Sequence, residues 1–393
     1  MAASGAASLA STGVVDWTLR CSACGATAAA GGLPTVCGAC SQPWLVEYRE
    51  RHHPLAARDC LPQRSDMLRY GRFLPLRDGE ATASLGEGGT PLVRLGRLAD
   101  ELQVDALWVK DEAPNPTGSF KARGLMLAVT RAAAAGASAF ALPTAGNAGV
   151  AAAAYAARAG RSVRVFAPIS TPATILAQIR AYGGDLELVD GHIGDCGRLA
   201  AGYAERTGAM LLSTLREPYR IEGKKTLGYE IAEQLGWVLP DAVVYPAGGG
   251  TGLIAVWLAF RELLAAGWAR GRLPRLYAVQ SAGCAPVVRA VERGADRCEA
   301  WTDPRTAASG LRVPNPLGGS LMLRAIRETR GGAVAVSDDR LAHYAERAAR
   351  EGIDFCPEGG ATLAAVADLR ARGAIRRDEV IVAFNTGGGW LYR

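Results

Sequence analysis

The chain has 393 residues, 49% of them hydrophobic, enough to bury a large core and to fold as two packed domains with a small appendage. Its 44 basic and 38 acidic residues leave a formal charge of +6 without a run of like charge, which argues against nucleic acid as a partner and leaves room for a small anionic substrate. Forty-eight glycines, Ala-rich helical stretches and few aromatics suit an α/β enzyme rather than a disordered or fibrous chain.

Residues Met1–Asp16 are small and weakly apolar. They lack the basic start and apolar core of a secretory signal, and no segment reaches the length of a membrane span. The nine cysteines are an odd number, and Cys60, Cys196, Cys284, Cys298 and Cys356 stand singly. That usage points to the reducing cytoplasm, where thiols stay free.

Cys21-x2-Cys24 is followed after twelve residues by Cys37-x2-Cys40. Two such knuckles, with Gly25 and Gly38 beside them, suit four thiolates closing a tetrahedral zinc site. The spacing predicts a compact ribbon over residues 1–50 with a structural zinc, since four thiolates leave no open position. A disulfide pair and a ribbon that has lost its metal are the alternatives. His52 and His53 follow on a charged segment, where plain surface is the simpler reading.

Residues 51–393 are expected to form one catalytic body. Ser84-Leu-Gly-Glu-Gly-Gly-Thr-Pro-Leu92 reads as an entry loop and Leu92–Arg94 as the first strand. Leu107–Asp111 is a short apolar strand that delivers the chain to Asn115-Pro-Thr-Gly-Ser-Phe-Lys-Ala-Arg-Gly124. There Lys121 stands where loop becomes helix. The positive potential of a helix start favours its neutral amine, the form that attacks a carbonyl or forms a Schiff base.

Strand Ala139–Pro143 runs into Thr144-Ala-Gly-Asn-Ala-Gly149 and a helix from Val150, a βα junction whose N–H groups suit an anion. Further βα units cover 161–182 and 186–212, and the alternation argues for parallel sheets. A helix is expected from Glu222. Ala242–Pro246 then leads to Ala247-Gly-Gly-Gly-Thr-Gly252 before an apolar helix from Leu253. That run has neither the P-loop nor the dinucleotide spacing, so a single phosphate ester fits it best. Residues 297–320 read as a surface excursion over the site. The last strand, Val380–Phe384, ends in Asn385-Thr-Gly-Gly-Gly389, a polar turn at the sheet edge where α/β ligands bind.

The stretches LGEGGTPL, KDEAPNPTGSFKARG, PTAGNAG, EPYRIEGKKTLGYE, PAGGGTGL, PEGGATLAA and FNTGGG, in this order over residues 84–389, resemble the pyridoxal-phosphate enzymes of fold type II, and among them the threonine synthases. The resemblance implies two three-layer αβα domains behind the ribbon, with a smaller mobile domain at about 126–212 inserted in the larger. It implies that Lys121 holds pyridoxal 5'-phosphate and moves protons, that Phe120 packs against the ring, and that Asn147 bonds its phenolic oxygen. Gly248, Gly249, Gly250, Thr251 and Gly252 would cradle its phosphate. Thr386 would bond the pyridine nitrogen, and a hydroxyl there gives a weaker electron sink than a carboxylate. Thr144, Ala145 and Gly146 would take the substrate carboxylate.

The implied reaction converts O-phospho-L-homoserine and water to L-threonine and phosphate by γ-elimination and β-addition of water. Ser119, Arg220 and Lys225 are the expected partners of the substrate phosphate, with Arg123 also near in sequence. Gly360, the Gly387–Trp390 turn and the all-Gly phosphate loop depart from the usual threonine synthase pattern. They leave open a β-replacement enzyme (cysteate- or cysteine-synthase-like) or a threonine/serine dehydratase. A non-catalytic ligand-binding regulator is the reading from another class. The partners expected are a small phosphorylated amino acid and a second copy of the chain, with no membrane.

Overall fold

The computed structural model describes residues 16–33, 35–48 and 62–393; His52, His53 and Cys60 lie outside the described residues. Strands β1 (Trp17–Cys21), β2 (Thr27–Ala29) and β3 (Trp44–Tyr48) form a small antiparallel sheet in the order β2-β1-β3. Alternate residues of β1 point inward, as the two-residue period of a strand requires, and Leu19 and Cys21 pack with Cys37 and Trp44.

The body begins with β4 (Leu92–Arg94), α1 (Gly96–Leu102), β5 (Ala106–Asp111) and α2 (Lys121–Ala134). There follow β6 (Ala139–Pro143), α3 (Asn147–Arg158), β7 (Ser162–Pro168), α4 (Ala173–Ala181), β8 (Asp185–Val189), α5 (Ile193–Thr207) and β9 (Met210–Leu211). Their four strands make a parallel sheet in the order β8-β7-β6-β9. The chain returns through α6 (Tyr219–Gln234), β10 (Ala242–Pro246), α7 (Thr251–Ala265), β11 (Arg275–Ser281), α8 (Pro286–Glu292) and α9 (Gly319–Glu328). It closes with β12 (Gly332–Val336), α10 (Asp338–Ala349), α11 (Pro357–Ala371) and β13 (Val380–Asn385). These strands join β4 and β5 in a six-stranded sheet, β12-β11-β10-β13-β5-β4, in which β4 runs antiparallel to β5 and the other pairs are parallel.

Every residue of β10 is buried, as its unbroken Ala-Val-Val-Tyr-Pro run requires of a strand covered on both faces. The strands lie where apolar runs predict them. The helices differ, because the apolar period becomes visible only after the first turn. Helix α2 starts at Lys121, α3 at Asn147 rather than Val150, α6 at Tyr219 rather than Glu222, and α7 at Thr251 rather than Leu253.

Helices α2 and α6 cross with their backbones almost in contact. A Cβ on Gly223 would fall 2.2 Å from the Arg123 carbonyl oxygen, and one on Gly124 would fall 2.8 Å from that of Arg220. Larger residues would separate the two helices that carry Lys121 and Arg220. Beneath the crossing, Arg123 bonds Glu112 (Nε–Oε2 2.6 Å) and Glu230 (Nη1–Oε1 2.6 Å), and Lys110 bonds Glu230 at 2.7 Å. Two cations and two carboxylates are thus matched inside the core, as buried charges require.

Candidate active site

Lys121 opens α2, directly after Phe120. Its Nζ sits 3.9 Å from the centre of the Phe120 ring. Burial, and then the nearby Arg220 guanidinium, lower its pKa to about 8, against a weaker opposing pull from Glu358. About a tenth of this amine is therefore neutral at pH 7, far more than at an ordinary lysine.

The turn after β13 is laced to the lysine loop. The Phe120 N–H donates to the Thr386 carbonyl at 3.0 Å, the Gly388 N–H donates to the Gly118 carbonyl at 3.0 Å, and Ser119 pairs with Gly387. The Thr386 hydroxyl lies 3.5 Å from Cys356 Sγ, in a buried site. Ser119 Oγ is buried and without a partner.

At the start of α3, Thr144 Oγ1 bonds the Gly146 carbonyl (2.8 Å) and accepts from the Gly149 N–H (3.1 Å), which fixes the Thr144–Gly146 turn. Ala145 is half-buried there. Asn147 is the first residue of the helix; its Nδ2 donates to Tyr392 OH at 3.3 Å and its Oδ1 is buried without a partner. Gly387 meets this junction, since a Cβ there would lie 3.2 Å from Asn147 Nδ2.

The glycine run forms a tight cup at the start of α7. Gly250 has φ +82°, which favours glycine. A Cβ on Gly248 would fall 2.1 Å from the Gly310 carbonyl, one on Gly249 would meet Thr214 at 2.9 Å, and one on Gly252 would overlap the Tyr245 hydroxyl. That hydroxyl is itself buried without a partner. Thr251 begins the helix, whose first N–H groups have no helical acceptor, as suits an anion site.

Helix α6 brings cations to the same place. Arg220 is 1% exposed; its Nη1 donates to the Leu212 carbonyl at 2.9 Å, while its Nε lies 4.0 Å from Glu217 Oε1 and makes no hydrogen bond. Glu217 accepts from the N–H groups of Tyr219 and Arg220, and burial raises its carboxyl to about 7 against the pull of Arg220. Lys225 departs from the sequence expectation. Its Nζ bonds Glu222 (2.6 Å) and Glu262 (3.0 Å) beside the Tyr48 ring, so it is bound into the core behind the helix. Lys224 is the lysine that faces the site, donating to Thr251 Oγ1 at 2.6 Å. Helix phase explains the exchange: Lys224 lies about 40° from Arg220 around the axis and Lys225 about 140°. Arg123, held by Glu112 and Glu230, is likewise not at the cup.

Sequence reasoning also passed over Glu358 and Tyr392. Glu358 accepts from the Gly310 N–H at 2.7 Å with its second oxygen buried and unpartnered. Tyr392 comes in from the last turn of the chain, which Thr174 fastens to α4 through the Leu391 carbonyl at 2.7 Å. The i, i+4 spacing of Arg220 and Lys224 was a readable signal; no comparable pattern marks Tyr392.

In the ribbon, the Sγ atoms of Cys21, Cys24, Cys37 and Cys40 all lie within 4.8 Å of one another, with separations of 3.3, 3.5 and 3.7 Å among them. Four thiolates at about 2.3 Å from a zinc ion stand about 3.8 Å apart, so the cluster fits a tetrahedral metal. The ribbon docks on the body through Tyr48 OH, which donates to Glu222 at 2.6 Å.

A family model described as pyridoxal-phosphate dependent enzyme matches residues 83–387. A threonine synthase of Methanocaldococcus jannaschii is 35% identical over 88% of this chain and 85% of that protein. One of Methanosarcina acetivorans is 34% identical over 94% and 91%. Among solved structures, maize serine racemase superposes with a TM-score of 0.67 over 76% of this chain and 88% of that one at 22% identity, a likeness of fold.

Proposed function

Because the chain belongs to the pyridoxal-phosphate dependent enzyme family, we propose that it converts O-phospho-L-homoserine and water to L-threonine and phosphate. The observation that carries this reading is its identity, over most of both chains, with archaeal threonine synthases.

The residues fit the cofactor. A Cβ at Gly248, Gly250 or Gly252 would strike Gly310, Met322 or Tyr245, so only bare backbone can line this turn, and Ser119 Oγ and Asn147 Oδ1 are buried polar atoms without hydrogen-bond partners. In this reading Lys121 attaches the cofactor, Phe120 flanks its ring, Asn147 and Thr386 bond its ring oxygen and nitrogen, and Gly248 to Gly252 take its phosphate. When bound, pyridoxal phosphate supplies an electron sink for the bonds at the substrate's Cα.

The chain's own residues do the rest. The Thr144–Gly146 turn and the α3 N-terminus hold the substrate carboxylate. Arg220, with Ser119, holds the phosphate that leaves from Cγ. Lys121, whose pKa of about 8 lets it both accept and give a proton near neutrality, removes protons at Cα and Cβ and returns them. Closure of the segment around the four-stranded sheet, about residues 126–212, would exclude water until phosphate has left. Zinc in the cysteine ribbon would be structural. A homodimer in the cytoplasm completes the proposal; among the described residues no helix is long and apolar enough to cross a membrane.

Assays of the purified protein with O-phosphohomoserine should give threonine and inorganic phosphate in equal amounts. Conversion of L-threonine to 2-oxobutyrate without phosphohomoserine turnover would favour the dehydratase.

A further inference from the structure

Among its 44 basic residues the chain has four lysines, at 110, 121, 224 and 225. Lys110 is matched by Glu230, and Lys225 by Glu222 and Glu262. Lys121 is the proposed cofactor lysine. Lys224 is 0% exposed, and it donates to a neutral hydroxyl, Thr251 Oγ1. A buried ammonium without an anion is costly. Burial and the neighbouring Arg220 and Lys121 cations hold its pKa well below the ordinary value, with Glu217 alone pulling the other way.

We propose that Lys224 is a cation for the cofactor's phosphate, completing the glycine cup from the side of α6. Thr251, its partner, is the first residue of α7 and part of the cup. The Lys224 Nζ lies 4.9 Å from the centre of the Phe120 ring, which Lys121 Nζ approaches at 3.9 Å. One ring thus spaces the lysine for the carbonyl end from the lysine for the phosphate end. The stem of Lys224 passes over α2 at Gly124, where a Cβ would come within 3.1 Å of its Cε, so the crossing of α2 and α6 sets its reach. Arg220 stands one helical turn earlier, about 6 Å along the axis, and its Nε, 4.0 Å from Glu217 and without a hydrogen-bond partner, is left for a second anion. Two cations one turn apart separate two phosphates that would otherwise compete for one site.

The proposal rests on the cofactor family and not on the choice of substrate, and its test reads cofactor binding. Cofactor-free wild type and Lys224→Gln are titrated with pyridoxal phosphate and with pyridoxal, following the visible absorbance, with circular dichroism to check the fold. The expected result is at least a tenfold loss of affinity for pyridoxal phosphate and none for pyridoxal. Equal losses for both, or an unchanged affinity for pyridoxal phosphate, would overturn the proposal, and in the second case a raised KM for a phosphorylated substrate would reassign Lys224 to it. Wild-type protein labelled at its four lysine amines gives a test that needs no variant. The Lys224 amine should become charged with pyridoxal phosphate and not with pyridoxal; the same protonation state with both would overturn the assignment.

Discussion

The backbone N–H of Phe120 donates to the carbonyl oxygen of Thr386 at 3.0 Å, so the loop presenting Lys121 is tied to the turn that ends the last strand. Residues 266 positions apart in sequence (386 − 120) are thereby held in one frame. The lysine's position does not depend on its own side chain.

Lys121→Ala should accordingly fold as wild type yet lose the cofactor's attachment. Borohydride reduction followed by peptide mass mapping should fix the cofactor to the Lys121 peptide in wild type and to no peptide in the variant. Turnover should fall by about 10²–10⁴-fold with loss of the proton-transferring amine. A reduced adduct on another lysine would overturn the role given to Lys121.

Capture of the cofactor should follow the protonation of that amine. Its pKa is lowered to about 8, and the neutral form is the nucleophile. The rate at which cofactor-free protein takes up pyridoxal phosphate should therefore rise with pH toward about 8 and level off above it. A rate still climbing toward the ordinary lysine value would show that burial and Arg220 do not depress the amine.

Arg220→Gln and Lys225→Met should separate function from support. The first removes the proposed charged partner of the substrate phosphate, an interaction worth about 1.5–3 kcal/mol, so KM should rise about 10–100-fold. The second leaves Glu222 and Glu262 buried without their cation, and breaking such a pair costs about 3–5 kcal/mol. Denaturant melts should show that loss, whereas the opposite pattern would return Lys225 to the substrate site.

Much of this arrangement was legible in the sequence. Strands such as Ala242–Pro246 declare themselves by continuous apolar runs, and the order of the glycine, asparagine and threonine turns on their ends gave the family. Less legible was the first turn of each helix, where Lys121, Asn147, Arg220 and Thr251 sit, because small and polar residues hide the apolar period there. The choice between Lys224 and Lys225 was decidable by helix phase but not by adjacency. Glu358 and Tyr392 reach the site only through the packing of α11 and the last turn, which no local pattern encodes.

The ribbon should hold about one zinc ion per chain, bound by four thiolates. Because Tyr48 bonds Glu222, the carboxylate that also receives Lys225, stripping the metal should lower the melting temperature of the whole protein. Metal analysis and calorimetry before and after chelation check this, and a metal-free ribbon of undiminished stability would contradict it.

The most direct measurement is turnover of O-phosphohomoserine in water enriched in heavy oxygen. Elimination at Cγ followed by water addition at Cβ predicts one heavy oxygen in the threonine hydroxyl and none in the released phosphate. Heavy oxygen in the phosphate, with homoserine as the other product, would mean hydrolysis at phosphorus and would contradict the account.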